Sequence, residues 1–396
     1  MALATILIAR RFGSAGFGNY AFIASLILIG NMLTTFGTDM LLIRDIAARK
    51  DLSRIFSALL LQLLLSIVLI VIAQMLPILP GQSAAGWLAL KVYSLALIPI
   101  AFFTVFSSIL RGLQRMDLYA GLNLATSLLQ LALIYLFIKP GGSLTTLAWV
   151  LVAVQTATAV LAGVLCKGQI ATSWQAEAFS LHKLYQFFYA SMPLGVLGML
   201  GIVYQRISVI LVTMWLGSSA TGSFSAALRV VEFAKTGHMA VFTALYPAMA
   251  KSQKGTKGFR AEWRNLMIGA VAAAIILSMS AQPLTHFLFG TGYETSVLLL
   301  RLLAWNLVPY TMNTYLTLAF VAARQEQPVL LSISVSLTAL VLFNLSWTRH
   351  VGVTGAAWSM LLAEVIQGIA LLLQYKKLSL TQAPLDGIRH EFSQPS

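Results

Sequence analysis

The sequence predicts an all-α polytopic membrane protein, built as two parallel six-helix repeats that form a two-lobed 12-helix bundle. Two observations predict the membrane location. Of the 396 residues, 59% are hydrophobic and only 10% are charged, and apolar runs of about 20 residues, long enough to cross a bilayer, recur along the whole chain. A third observation predicts the duplication, because FGSAGFGNY at residues 12–20 is matched by LGSSATGSF at residues 216–224. Duplicated membrane halves commonly enclose a substrate path, so the pattern indicates transport.

The apolar runs define eleven complete spans. They lie near residues 17–38, 55–76, 86–109, 118–137, 145–165, 187–215, 222–246, 264–282, 296–320, 328–347 and 354–374. Only residues 1–11 precede the first motif, whereas a full helix precedes the second, so we expect helix 1 to be truncated at its N-terminal end. We predict an N-terminal lobe with a partial helix 1 at residues 1–166 and a cytoplasmic inter-lobe linker at residues 167–186. A C-terminal lobe at residues 187–375 and a cytoplasmic tail at residues 376–396 follow.

The basic residues predict the orientation. Most of those in loops fall on one side of the predicted membrane, and the exceptions are Arg10, Arg11, Lys139 and Arg349. The positive-inside rule therefore predicts that both termini are cytoplasmic. The net charge of +14 follows from this topology and from attraction to anionic membrane lipids, so no nucleic-acid partner is predicted.

The chain carries little of the chemistry that enzymes use. Its five histidines are scattered without metal-ligand spacing on a helix face, and it has no glycine-rich phosphate loop and no nucleophile elbow. We therefore predict no metal, no cofactor and no enzymatic activity. The single cysteine, Cys166, excludes a disulfide within the chain.

Charged residues inside the predicted spans are the main candidates for function, because charges at membrane depth usually face a cavity or the bundle interior. Arg206 lies near the middle of helix 7. In helix 8, Arg229, Glu232 and Lys235 follow at three-residue spacing and form a ladder on one side of the helix. This ladder either pairs internally and helps helices pack, or presents cations to an anionic substrate, with Glu232 holding them in place.

Two further basic residues, Lys91 and Arg301, are weaker candidates for the same cationic cavity. They lie near helix ends, where long side chains reach the membrane interface.

Polar groups in the spans are candidates for a cavity or for ion coupling. Helix 2 offers Asn31 and, at its cytoplasmic end, Asp39. Glu364 in helix 12 corresponds to Gln155 in helix 6, so both repeats carry a polar group at matching places. These groups face one cavity or make hydrogen bonds between packed helices.

Three prolines, Pro99, Pro193 and Pro309, interrupt apolar runs. Each removes a backbone donor and permits a bend, which suits halves that move against each other but also occurs in static bundles.

The motif at residues 12–20, followed by FGTDMLLIRDIA at residues 36–47, resembles the start of the polysaccharide-biosynthesis flippases. These are the O-antigen type translocases of the multidrug/oligosaccharidyl-lipid/polysaccharide (MOP) exporter superfamily. The likeness continues at residues 110–115, 193–195, 215–227, 246–247, 288–290 and 352–358.

The resemblance implies a protein of a bacterial or archaeal plasma membrane that moves an undecaprenyl-diphosphate-linked oligosaccharide to the outer leaflet, by alternating access of a cationic cavity. Arg206 and Arg229 fit this role, because a diphosphate needs fixed positive charge once its hydration is lost. The implied partners are the lipid-linked oligosaccharide, a polysaccharide polymerase and glycosyltransferases.

Coupling to H⁺ or Na⁺ is left open. Ser208 stands where many relatives place an acidic residue, so Glu232 or Glu364 would have to substitute for it.

Two other interpretations remain. A cation-coupled multidrug exporter of the same superfamily would have a more apolar and acidic cavity than Arg206 and Arg229 indicate. A membrane-embedded glycosyltransferase or polymerase would normally have a large outer loop with catalytic carboxylates or arginines, whereas the outer loops predicted here are short and nearly uncharged.

Overall fold

All regular secondary structure in the described part of the chain is helical. The computed structural model describes residues 2–50, 52–78, 81–169, 181–251, 256–322, 325 and 327–391. Residues 170–180 of the predicted linker and residues 392–396 of the predicted tail lie outside these ranges. The all-α prediction is confirmed.

The helices follow one another with short connections. They are α1 (Ala2–Thr35), α2 (Thr38–Arg49), α3 (Ile55–Met75), α4 (Ala84–Ser94), α5 (Leu97–Gly112), α6 (Met116–Phe137), α7 (Leu144–Leu165), α8 (Leu181–Lys251), α9 (Thr256–Met279), α10 (Ala281–Phe289), α11 (Glu294–Ala304), α12 (Leu307–Ala322), α13 (Gln327–Phe343), a π-helical turn (Asn344–Thr348), α14 (Arg349–Val351) and α15 (Val353–Glu391).

Many of these helices are long and apolar enough to cross a membrane. Among the described residues there are seven such helices, or nine when each of two bent helix pairs is taken as one span. Both totals take α1 and most of α8 as single helices, although each is interrupted by a non-helical glycine. The protein is therefore a multi-pass membrane protein, as the composition predicts.

The duplicated motif marks the same backbone break in both repeats. Gly13 interrupts α1 with φ 66° and ψ −175°, and Gly217 interrupts α8 with φ 79° and ψ −178°. A side chain is strained at such positive φ values, so glycine is needed at both places. The glycine of the motif thus separates the first two helices of each repeat.

A second break also recurs. The spans predicted near residues 86–109 and 296–320 are each divided in two, between Ser94 and Leu97 and between Ala304 and Leu307. The first pair is bent by 42°. Pro99 and Pro309 lie in the first turn after their breaks, where a missing N–H costs no helical hydrogen bond.

Two further details concern the predicted spans. Around Pro193, α8 continues without non-helical dihedral angles, so the span predicted near residues 187–215 is unbroken at this proline. The span predicted near residues 17–38 ends at Thr35, because Phe36 and Gly37 adopt positive φ values of 37° and 77°.

The helical residues form two compact units, and each is described by itself. Unit 1 contains residues 1–225 and the segment Leu288–Tyr293. In it, α7 packs against α4, α5 and α6, while α5 also contacts α1, α2 and α3. Two buried apolar clusters form its core, one around Leu41, Val105 and Ile109 and the other around Phe22, Trp87 and Leu97.

Within unit 1, the two copies of the motif cross at very short range. A Cβ on Gly18 would overlap the backbone of Ser218 and lie 2.7 Å from Gly222 N, and a Cβ on Gly222 would overlap the backbone of Ser14. The hydroxyl oxygens of Ser14 and Ser219 are 3.3 Å apart. Equivalent residues of the two repeats therefore contact one another reciprocally.

The segment Leu288–Tyr293 is fixed to the first helix of unit 1. The Arg10 guanidinium donates from Nε to Leu288 O at 2.9 Å, and the Tyr293 hydroxyl donates to Ala9 O at 3.0 Å. The ring of Phe17 lies 6.4 Å from that of Phe289. Residues from the second repeat thus complete the packing of α1.

Unit 2 contains residues 226–287 and 294–396. Its long helix α15 packs against α11, α12 and α13, and α9 packs against α11 and α12. Leu316, Phe320, Val329 and Leu371 form a buried apolar cluster, and the ring of Tyr315 contacts that of Trp263 at 5.0 Å between centroids. The lobe boundaries at residues 166 and 187 stay a prediction.

Candidate functional site

The central feature of unit 2 is an ion pair between helices far apart in sequence. Lys235 Nζ of α8 lies 3.3 Å from Glu364 Oε1 of α15, and the two side chains are 20% and 6% exposed. Removing one partner of a buried pair leaves an uncompensated charge, which typically costs about 3–5 kcal/mol. Replacing either residue alone is therefore expected to destabilise this part of the unit.

Two residues of α12 complete the surroundings of this pair. Asn313 donates from Nδ2 to Glu364 Oε2 at 2.8 Å and to the Glu364 backbone oxygen at 2.9 Å. The Lys235 ammonium lies 4.2 Å from the centroid of the Tyr310 ring, a cation–π geometry. We call Lys235, Glu364, Asn313 and Tyr310 the Lys235 cluster.

A second ion pair lies on α8. Arg229 Nη1 donates to Glu232 Oε2 at 2.9 Å, and both side chains are about one-third exposed, at 31% and 28%. The three-residue spacing predicts this internal pairing. Lys235, the third member of the ladder, pairs with Glu364 on α15.

The charged residues predicted in unit 1 are placed differently. Arg206 lies in α8 with only 9% of its surface exposed, two residues before the buried Ser208 in the sequence. Lys91 lies in the last turn of α4 and is half-buried, and its backbone oxygen accepts a hydrogen bond from Ser94. Arg206 thus belongs to unit 1, whereas Arg229 and Lys235 belong to unit 2.

Asp39 lies at the start of α2 and pairs with a cation. Arg111 Nη2 of α5 is 3.7 Å from Asp39 Oδ2, and the Arg111 guanidinium lies 5.6 Å from the Tyr119 ring centroid. Thr38 beside it accepts a hydrogen bond from Gln62 Nε2 at 2.8 Å. Asp39 is therefore part of the packing between α2 and α5.

The remaining predicted residues are not drawn into these clusters by any described contact. Asn31 and Gln155 are half-buried in α1 and α7, and their backbone oxygens accept from threonine hydroxyls. Arg301 is exposed on α11, and its backbone oxygen accepts from Ser278.

Sequence reasoning missed Asn313, Tyr310 and Arg111. The two α12 residues are uncharged, so a search for charges in spans passes over them. Arg111 follows the span predicted near residues 86–109, so a search within spans does not include it. The available signal was that Tyr119 follows Arg111 closely in the sequence, across the short connection between α5 and α6.

No group of three or more His, Cys, Asp or Glu side chains that could hold a metal ion occurs among the residues that the structure describes. Both repeats contribute charged side chains to apolar helices. Charges at such positions are able to pair with an ionic ligand.

Comparison with known families identifies the chain's relatives. A family model described as polysaccharide biosynthesis protein matches residues 2–253, which is more than half of the chain. The chain belongs to this family. The resemblance carried by the residue 12–20 motif is thus confirmed. The comparison with curated proteins found no match.

Solved structures show which fold this member of the polysaccharide biosynthesis protein family adopts. An inward-facing multidrug resistance MATE family transporter of the MOP superfamily matches at 14% identity with a TM-score of 0.78, covering 96% of this chain and 94% of that chain. Lipid II flippase MurJ in an inward closed conformation matches at 13% identity with a TM-score of 0.74, covering 99% and 90%. The fold is therefore that of MOP superfamily transporters.

A third solved structure comes from Pyrococcus furiosus. It is a MOP superfamily transporter described as having a binding pocket of reverse polarity, and it matches at 15% identity with a TM-score of 0.66, covering 95% of this chain and 92% of that chain.

Proposed function

We propose that the protein is a flippase that moves a lipid-linked oligosaccharide, carried on undecaprenyl diphosphate, across a bacterial or archaeal plasma membrane by alternating access. The observation that carries the proposal is the pair of cation–carboxylate contacts, Lys235–Glu364 and Arg229–Glu232, within the apolar helices of unit 2. Family membership and the fold support a transporter acting in polysaccharide biosynthesis.

The charge pattern favours an anionic substrate. Arg229 and Lys235 are partly exposed, so a ligand can reach them, and their carboxylate partners balance the charge of the cations. A diphosphate brings several negative charges, and arginine can bind its oxygens in a bidentate manner. Arg206, Lys91 and Arg301 are proposed to add positive charge along the same path.

The topology is also part of the proposal. We propose that both termini are cytoplasmic and that the loops contact anionic lipids. A polysaccharide polymerase and glycosyltransferases are the proposed partners in the pathway. Coupling to H⁺ or Na⁺ would use Glu232 or Glu364, with Asp39, Gln155 and Asn31 as polar groups of the cavity.

A complementation experiment tests the function and the role of Arg206. In a strain whose own copy of the gene is deleted and whose surface polysaccharide is lost, the wild-type chain is expected to restore the polymer. Arg206→Ala is expected to abolish it while the protein stays in the membrane, and Arg206→Lys to restore part of it. The matched control is Arg349→Ala, which removes an exposed arginine. Normal polymer from well-expressed Arg206→Ala would remove that residue from the site.

A cation-coupled multidrug exporter is the second candidate, favoured by the likeness to a MATE family transporter. It predicts that expression protects a drug-sensitive strain against ethidium. Such protection, together with no effect on surface polysaccharide, would replace the flippase proposal.

A further inference from the structure

We propose that α9 carries a binding site for one anionic phospholipid, with the lipid phosphate at Arg264 and an acyl chain in the apolar groove beside it. The inference goes beyond the proposed function and does not depend on it, because a flippase and an exporter can hold a resident lipid equally well. It adds a ligand class and a defined place on the molecule, which neither family membership nor the fold supplies.

The groove is a cavity of about 460 Å³ along one side of α9. Its lining begins at Trp263 and ends at Ile275, a stretch that covers about 18 Å of helix. One leaflet of a bilayer contributes about 15 Å of hydrocarbon, which is half of the membrane core. The groove is therefore about as long as one acyl chain in its leaflet.

Apolar side chains line the groove beyond its first turn. Met267 and Val271 are half-buried along one edge, whereas Ile268 and Ile275 are 60% and 42% exposed. A concave row of such side chains makes more dispersion contacts with a hydrocarbon chain than a smooth helix face does. The shape therefore favours one retained chain.

The core of unit 2 lies on another side of the same helix. Ala270 and Ala274 of α9 are fully buried, α9 packs against α11 and α12, and the Trp263 ring lies 5.0 Å from the Tyr315 ring of α12. Within unit 2, the groove thus opens on the side of α9 that these helices leave uncovered. In a membrane, lipid is the ligand that such an apolar opening admits.

Arg264 supplies a positive charge at one end of the groove. It is exposed, and the span predicted near residues 264–282 begins with it, at the level of the membrane interface. The ion pairs described in unit 2 use other cations, Arg229 and Lys235. A guanidinium at this level can donate to two phosphate oxygens of a lipid whose chain enters the groove.

The sequence of α9 continues this charge in the same helical register. Lys257 and Arg260 precede Arg264 by seven and four residues, and Ile268 of the groove follows it by four. Such spacings place residues on one side of a helix. Glu262 is the carboxylate of α9, and it precedes Arg264 by two residues, which places it on the opposite side. Basic residues beside the end of a membrane span are typical of sites for anionic lipid headgroups.

The dimensions and the charge favour a phospholipid over the lipid carrier of the proposed substrate. An undecaprenyl chain is much longer than an acyl chain, whereas this groove has the length of one leaflet. The positive-inside rule predicts that the basic end of α9 faces the cytoplasm, where the leaflet is rich in anionic phospholipids. The groove and Arg264 thus match the two ends of one such lipid.

The test uses the full chain in detergent micelles and counts bound lipids by native mass spectrometry. The probes are dioleoyl phosphatidylglycerol, which is anionic, and dioleoyl phosphatidylcholine, which has the same chains and no net charge. Wild type is expected to bind one phosphatidylglycerol about fivefold more tightly than phosphatidylcholine, or more, and Arg264→Gln should lower the affinity for phosphatidylglycerol by about fivefold, the effect of one arginine near a membrane surface. The matched control is Arg349→Gln, which removes an exposed arginine of unit 2 outside the groove and should change neither affinity.

A second pair of variants tests the groove itself. Ile268→Trp enlarges a lining side chain and should weaken the binding of both lipids, because the acyl chain loses its place. Ile276→Trp is the control, since Ile276 is as exposed as Ile268, at 64% against 60%, but does not line the groove. Thermal unfolding gives an independent measurement, because a lipid that binds the folded state raises its melting temperature. Phosphatidylglycerol should raise that of wild type more than that of Arg264→Gln.

Three results would overturn the inference. They are equal affinity of wild type for the two lipids, unchanged binding of phosphatidylglycerol by Arg264→Gln, and unchanged binding by Ile268→Trp. Undecaprenyl phosphate that binds more tightly than phosphatidylglycerol, and loses this advantage in Arg264→Gln, would assign the groove to the substrate's carrier instead. Should Ile268→Trp fail to fold, the charge variants still decide. Surface polysaccharide tests the flippase proposal separately, so failure of the lipid site and failure of that proposal are distinguishable.

Discussion

Replacing Gly222 with alanine should weaken the crossing of the two motif copies. The new Cβ would overlap the carbonyl of Ser14 and lie 2.6 Å from its carbon atom, whereas real Cβ atoms essentially never approach within 3.0 Å. The obstacle is backbone, which cannot turn aside as a side chain can. The two helices must therefore separate, and the hydroxyl contact between Ser14 and Ser219, now 3.3 Å, is lost.

Overpacking of this kind typically costs about 1–3 kcal/mol. We expect the upper part of that range here, because the new Cβ meets main-chain atoms of Ser14. The cost should appear as a lower melting temperature of the detergent-solubilised protein. This temperature is measured by heating samples and determining the remaining folded protein by size-exclusion chromatography. The control is Gly121→Ala, whose Cβ would meet nothing within 4 Å.

The repeat symmetry makes the experiment more stringent. Gly18→Ala should cost as much as Gly222→Ala, because it creates the same overlap with Ser218. The double variant should cost less than the sum of the two, since one alanine already opens the crossing. Equal melting temperatures of Gly222→Ala and Gly121→Ala would refute the reasoning. Strictly additive losses of stability in the double variant would refute it as well.

Two other predictions concern single side chains. Burial raises the pKa of the Cys166 thiol to about 11, so a maleimide should leave the folded protein unlabelled at pH 7.5. The labelling rate should rise by about tenfold for each pH unit up to that pKa, and labelling should be complete in sodium dodecyl sulfate. Rapid labelling at pH 7.5 would contradict this expectation. Arg11 caps the C-terminal end of α6, because its Nη1 donates to Ile134 O at 3.2 Å and to Tyr135 O at 2.9 Å. Arg11→Ala should lower the free energy of unfolding by about 1 kcal/mol and Arg11→Lys by less, measured by thermal unfolding. Equal melting temperatures of Arg11→Ala and wild type would exclude the cap.

The sequence predicted the fold well because its signals are local. Hydrophobic run length predicts spans, and the doubled motif predicts the breaks at Gly13 and Gly217. Pro99 and Pro309 predicted that two spans can bend, but the sequence did not predict that the helices end at Ser94 and Ala304. A break of two residues hardly changes the hydrophobic composition of a window, so composition does not locate it.

The candidate site was predicted only in part, because its contacts are long-range. Arg229 and Glu232 are close on one helix, so spacing alone predicts their pairing. The partner of Lys235 lies on α15, and only tertiary packing brings it there. Asn313 was invisible to a search for charges, although its amide holds the Glu364 carboxylate.

The segment Leu288–Tyr293 has a consequence for the order in which the protein is made. It supplies the backbone oxygen that Arg10 binds and the Tyr293 hydroxyl that binds Ala9 O, so α1 receives these contacts from a segment that is synthesised much later. Membrane insertion proceeds from the N terminus. Unit 1 therefore cannot mature as an early intermediate, and a nascent chain that stops before Tyr293 would leave the end of α1 open to chaperones and proteases.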